Sequence, residues 1–378
     1  MTETIVHKKD DFEALDKLVD RDLRPIVNKI DQDGFYPKEF LKQVGDLGGF
    51  KHLVSSSYGG DWSEGGNGLR NTIRTMAHIG DACLSTAFAY WCHTACSRYI
   101  QLSFNNDAKA KYLPSLATGR LFGGTGLSNT LKSCCEIERF LLSAKRVAGG
   151  YEINGTLPWV SNLGSDHIFV TGCPLQGDTR LVFLVVDCSQ DGFKLVEGTH
   201  FTALEGTRTF ACQFDNVFIE DVNVLAHPEQ SAEYIKRIQP GMILAQLGMG
   251  FGLIQDCIRE IEHAAKTHSH INCYEQEQAN FLKSELNNAV SSAESLAIEA
   301  DLFPIEDARE DLITNIMKAR LAGGELSLRA AQGAMLHQGA RGYLKDAVAQ
   351  RRLREAYFVA IVTPALKHLR REIALRDF

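Results

Sequence analysis

The chain has 378 residues, 44% hydrophobic and 23% charged, with a net charge of −7 and a pI near 6.0. That is an ordinary globular composition with material for two or three packed units, and it gives no electrostatic reason to expect nucleic acid or an anionic membrane as a partner. Neither a leader nor an apolar run long enough to span a bilayer is expected, and ten dispersed cysteines without a C-x-x-C pair predict buried thiols in a reducing cytoplasm, with no disulfides and no metal site.

Residues 1–124 read as helical. Asp11 to Val27, Pro37 to Gly45, Gly68 to Gly80, Cys83 to Phe104 and Ala108 to Leu116 carry apolar residues at helical spacing. Cys83 to Phe104, rich in Ala, Cys and aromatics, should be buried. Residues 125–226 change period to short runs of β-branched and aromatic residues. These are Phe140 to Val147, Tyr151 to Ile153, His167 to Thr171, Arg180 to Asp187, Phe193 to Val196 and Ala211 to Ile219. Residues 227–378 return to long helical periods at Ala232 to Thr267, Glu275 to Asp301, Glu306 to Leu336 and Asp346 to Arg376. The predicted fold is α+β in three units: an N-terminal α-helical domain, a middle β-barrel or sandwich, and a C-terminal four-helix bundle.

The most informative stretch is Tyr151 to Asn162. Asn154-Gly155 suits a tight hairpin turn, because this pair accepts positive φ. The return strand then places Trp159 and Ser161 on one face. An indole beside a hydroxyl suits a flat heteroaromatic ring; it equally describes a core Trp beside a surface Ser.

Further motifs join it in order. Tyr58-Gly59-Gly60, then Tyr112-Leu113-Pro114 with Leu116 and Gly119, precede Asn154-Gly155 and Trp159-Val160-Ser161-Asn162. Phe214-Asp215-Asn216-Val217 and Asn223-Val224-Leu225 follow. Over nearly the whole chain this series resembles the acyl-CoA dehydrogenase superfamily of flavoproteins. The resemblance implies FAD as cofactor, an acyl-CoA or related acyl thioester as substrate, and a homo- or hetero-oligomer, most often a tetramer. It also implies residue roles. Trp159 would lie by the flavin and Ser161 by its N5 region, while Leu127 and Ser128 would meet the pyrimidine edge. Gly339 and Gly342 would approach the FAD of a neighbouring subunit, or simply form an interhelical turn.

The departures bear on mechanism. Both positions where the family carries its catalytic carboxylate hold other residues: Thr363, eight residues beyond Glu355 in Arg354-Glu355-Ala356, and Met242 on the first long bundle helix. Neither side chain is a base near neutral pH. The family's "R-x-x-FG" and "GSD" elements are replaced near His268 to Tyr274 and at Ser133-Cys134-Cys135. Glu355 and Glu205 are weak substitutes; the first reads better as a structural ion-pair partner and the second as a loop carboxylate. Three functional readings follow: an acyl-CoA dehydrogenase-like oxidoreductase with a displaced base or a partner subunit, a flavin-dependent monooxygenase of the same fold, or a non-catalytic subunit of a hetero-oligomeric dehydrogenase.

Overall fold

The computed structural model describes residues 12–63, 66–198, 200–302 and 310–376. Six helices come first: α1 (Glu13–Leu18), α2 (Val27–Asp33), α3 (Lys38–Asp46), α4 (Gly68–Ala82), α5 (Leu84–Gln101) and α6 (Asn106–Leu116). The expected helix start at Asp11 and the stretch beginning at Glu306 lie outside the described residues. Every residue of α5 from Leu84 to Ile100 is buried, as its apolar, aromatic composition predicts.

Two four-stranded sheets form the middle unit. One has the order β1 (Phe122–Thr125), β4 (His167–Pro174), β5 (Leu181–Asp187), β8 (Val224–Ala226). The other runs β2 (Leu142–Val147), β3 (Gly150–Val160), β7 (Phe210–Glu220), β6 (Phe193–Val196). β4 and β5 are buried on both faces. Ile168, Val170, Phe183 and Val185 join the helical core, while Phe169, Val182, Leu184 and Val186 join a second core between the sheets. That alternation lets the first sheet serve as the wall shared by sandwich and helices.

The C-terminal unit comprises α8 (Ser231–Ala245), α9 (Leu247–Asn272), α10 (Ala279–Leu302), α11 (Glu310–Gln338), α12 (Val348–Ile361) and α13 (Leu366–Arg376). The three-unit α+β architecture is as expected from sequence. The run Pro228–Asn272 is, against expectation, long and apolar enough to cross a membrane; 94% of its most apolar window is buried inside the protein, where packing uses the apolar surface.

Four local expectations are corrected. Asn154-Gly155 is no hairpin turn, since β3 runs unbroken from Gly150 to Val160 and the turn into it uses Gly149 at φ 80°. The pair instead answers a bulge in β7. Gly155 has φ 128°, and a Cβ there would lie 2.2 Å from the Leu141 carbonyl oxygen. Asn154 accepts from the Asn216 N–H at 2.9 Å. The predicted helix Asp346 to Arg376 is broken at Thr363-Pro364, where the ring removes a backbone donor. The segment Ala232 to Thr267 divides at Gln246. Finally, a short helix, α7 (Leu127–Cys134), lies inside the β block, with Leu127 and Leu131 buried one turn apart.

All ten cysteines are free thiols, and all but Cys134, Cys135 and Cys273 are buried.

Candidate active site

A cavity of about 850 Å³ lies where the three units meet. Its floor is aromatic. Phe88 and Trp91, one turn apart on α5, stack at 5.6 Å, and Phe358 of α12 meets Phe88 edge-on at 4.6 Å. Six of the eight residues selected from sequence line this space: Leu127 and Ser128 on α7, Trp159 and Ser161 at the end of β3, Met242 on α8, and Thr363 beyond α12. They come from segments far apart in the chain.

Two hydroxyl networks frame the cavity. On one side Ser128 Oγ is 2.7 Å from Thr363 Oγ1, joining α7 to the break after α12. The Thr363 carbonyl accepts from Gln246 Nε2 at 2.8 Å, and the Gln246 Oε1 accepts from Arg320 Nε at 3.0 Å. Gln246 and Arg320 are both fully buried. On the other side Ser161 Oγ is 2.7 Å from Thr209 Oγ1, which is 2.8 Å from Thr207 Oγ1; Thr207 donates to the Leu204 carbonyl at 2.7 Å. The first-turn N–H groups of α7, the helix that carries Ser128, have no intrahelical acceptor. Trp159 is 59% exposed, its one ring contact being an edge approach to Phe201 at 6.4 Å.

Among the described residues no Asp or Glu lines the cavity. Arg354 does; it is held by Asp31 through bonds of 3.0 and 2.6 Å and donates to the Thr202 carbonyl. Lys132 does too, paired with Glu138 at 2.8 Å. Glu355 points elsewhere. It is 1% exposed and bound by Arg352 at 2.8 Å and Arg351 at 3.6 Å, a structural ion pair. Glu205 accepts from the Phe201 backbone N–H and lies 3.6 Å from His200, holding the loop that carries Phe201. Among the described residues the Arg320 guanidinium has no carboxylate partner, and burial pulls its pKa down to about 10.

Gly339 and Gly342 are not at this cavity. They form a 3₁₀ turn, Gly339–Tyr343, between α11 and α12. A Cβ on Gly342 would approach Gln338 at 2.8 Å and Ala349 at 3.2 Å, so this glycine packs its own turn, while Tyr343 beside it is 83% exposed.

Sequence reasoning passed over Thr207, Thr209, Gln246 and Arg320. The Thr-x-Thr alternation at 207–209 was a usable signal. Gln246 and Arg320 carried none, because a buried Arg in a helix reads as a solvated charge until its neighbours are known.

Residues 11–120 match the family model described as acyl-CoA dehydrogenase, N-terminal domain. The chain is 23% identical to a mitochondrial isovaleryl-CoA dehydrogenase of Solanum tuberosum, over 91% of this chain and 84% of that protein. In fold it is similar to butyryl-CoA dehydrogenase from Megasphaera elsdenii, with a TM-score of 0.82, 16% identity and coverage of 98% and 99% of the two chains. It is also similar to dibenzothiophene monooxygenase from Paenibacillus sp. A11-2, with a TM-score of 0.80, 18% identity and coverage of 96% and 95%.

Proposed function

This chain belongs to the acyl-CoA dehydrogenase superfamily, and from that premise we propose that it is an FAD-dependent oxidoreductase taking an acyl thioester in the cavity. The observation that carries the reading is the convergence of Ser128, Trp159 and Ser161 with Met242 and Thr363 on one cavity. The lining fits a flavin ring. The half-exposed indole of Trp159 offers an apolar face, and two serine hydroxyls and the first-turn N–H groups of α7 can meet polar ring edges. When bound, the flavin supplies a two-electron acceptor. The protein's own share is to orient the partners and keep water out, the latter through the Phe88, Trp91 and Phe358 floor. The exposed Gly339–Tyr343 turn, away from this cavity, is left for a neighbouring subunit's cofactor, which makes an oligomer part of the proposal.

Desaturation of a thioester requires a base at carbon, which neither Thr363 nor Met242 provides. Dehydrogenation by this chain therefore calls on a displaced base or a second, complete subunit. The absence of a lining carboxylate also favours a second reading, a flavin-dependent monooxygenase, which asks the protein only to position substrate and flavin.

The visible spectrum of the purified protein tests both. Failure to take up FAD, alone or with a candidate partner subunit, would leave a non-catalytic subunit as the remaining reading. With FAD bound, anaerobic bleaching by one of a panel of acyl-CoA thioesters supports dehydrogenation. Oxygen uptake after chemical reduction, coupled to a hydroxylated product, supports the monooxygenase.

A further inference from the structure

The sequence has no C-x-x-C pair, yet the fold assembles three donors outside the cavity. Cys135 terminates α7, and His368 and Glu372 stand one turn apart on α13, so both face the same side of that helix. One donor atom from each of Cys135, His368 and Glu372 lies within 4.8 Å of the others. The histidine is the telling member. His368 is 8% exposed, its Nδ1 is buried without a hydrogen-bond partner, and its Nε2 stands 3.9 Å from Glu372 Oε1, beyond hydrogen-bond reach. An imidazole this buried normally satisfies both nitrogens.

We propose that Cys135, His368 and Glu372 bind one Zn²⁺ ion. A thiolate, a neutral imidazole and a carboxylate are the donor types zinc takes, and water can fill the fourth position. Tetrahedral bonds of about 2.0–2.3 Å set donors roughly 3.3–3.7 Å apart, so the present spacing closes with small side-chain rotations. Binding releases the Cys135 thiol proton to solvent as the Zn–S bond forms. Glu372 is now held by Arg371 at 2.7 Å and Arg376 at 3.2 Å, both partly exposed side chains free to swing into water as the cation enters. The consequence reaches the cavity. The ion would clasp α7 to α13, the elements flanking the Ser128–Thr363 contact.

The test uses full-length protein stripped with chelator and titrated with Co²⁺, followed by Zn²⁺ competition against a chelating indicator. Wild type should bind one equivalent of Zn²⁺, and its cobalt form should show a thiolate-to-metal charge-transfer band in the near ultraviolet. Cys135→Ser should abolish the band and weaken Zn²⁺ binding by more than about 100-fold. Glu372→Gln, which keeps the side-chain shape, should weaken binding by at least about tenfold. Cys134→Ser should change neither. Absence of the thiolate band in wild type, or Zn²⁺ affinity in Glu372→Gln equal to wild type, overturns the site. If Cys135→Ser does not fold, the wild-type band and the Glu372→Gln titration decide the matter alone.

Discussion

The hydroxyls of Ser161 and Thr209 stand 2.7 Å apart, and the direction of the bond between them is set by a third group. Thr207 gives its proton to the Leu204 carbonyl, so its oxygen must accept from Thr209. Thr209 has then spent its only proton, so Ser161 donates to it and turns lone pairs toward the cavity. A ring nitrogen bearing hydrogen, as in reduced flavin, is favoured there over a bare one. Thr209→Val frees the Ser161 proton and should lower the flavin midpoint potential by about 10–30 mV, one modest hydrogen bond's worth for a two-electron couple. Potentiometric titration of the two proteins checks this, and an unchanged potential would remove Ser161 from the redox edge.

Trp159 does little for its own fold, being 59% exposed with one edge-on aromatic contact. A large apolar surface left open beside two hydroxyl networks is better explained by a ligand. Trp159→Ala should weaken flavin binding by about 1–2 kcal/mol, roughly tenfold, while Tm of the flavin-free protein moves by only about 2 °C. Fluorescence titration and a thermal melt are the measurements. A large fall in Tm at unchanged affinity would make the indole structural.

How much of this was legible in the sequence follows from how local each signal was. Trp159 and Ser161 carried their alternation in the strand itself, whereas Ser128 was reached only by its position relative to the resembling family. Asn154-Gly155 was misread as a hairpin because positive φ serves a bulge as well as a turn, and only the partner strand distinguishes them. Gln246 and Arg320 reach Thr363 across separations of more than forty residues, which no local pattern encodes. The break at Pro364 could have been read, since proline has no N–H for a continuing helix.

Thr363 sits at the cavity with a buried cation two links behind it, through Gln246 to Arg320. Among the described residues no carboxylate balances that guanidinium, so an acid placed at residue 363 is expected to be held ionised. Thr363→Glu should accelerate anaerobic flavin bleaching by a matching acyl-CoA by about 10²–10⁴-fold, the usual range for a positioned base. Stopped-flow mixing with a panel of thioesters reads it. No acceleration with any of them would mean that residue 363 does not face the reacting carbon.

Glu355 offers the opposite case, a carboxylate near the cavity in sequence and turned away from it in space. Removing it leaves Arg351 and Arg352 buried with Asp256 as the remaining acid of the cluster. Glu355→Ala should cost about 3–5 kcal/mol in urea unfolding, because an unpaired buried charge is expensive. Flavin affinity of the folded protein should be unchanged. Lost flavin reduction at unaltered stability would instead reinstate Glu355 as the base.

His93 should contribute to the acid limb of stability. It is 1% exposed, its Nε2–H donates to the Leu116 carbonyl at 3.0 Å, and its Nδ1 accepts from the Gly123 N–H at 3.2 Å. A proton added at Nδ1 would face a donor. Burial pulls the pKa from 6.5 to about 3, against the opposing pull of the Leu116 carbonyl. The folded value thus lies below the unfolded one, and the stability contributed is whole above pH 6.5. It falls as pH drops, by up to about 1.4 kcal/mol per unit, until the folded pKa is reached. His167 and His368, also lowered chiefly by burial, add to the same limb, so the measurement must be a difference between two proteins. His93→Gln keeps one donor and one acceptor at the same place and cannot titrate. Relative to wild type it should lose less stability between pH 6.5 and pH 5, above the range where most carboxylates titrate. Urea unfolding at half-unit steps measures the two slopes, and parallel slopes would mean that His93 is protonated in the folded protein as readily as in the unfolded chain.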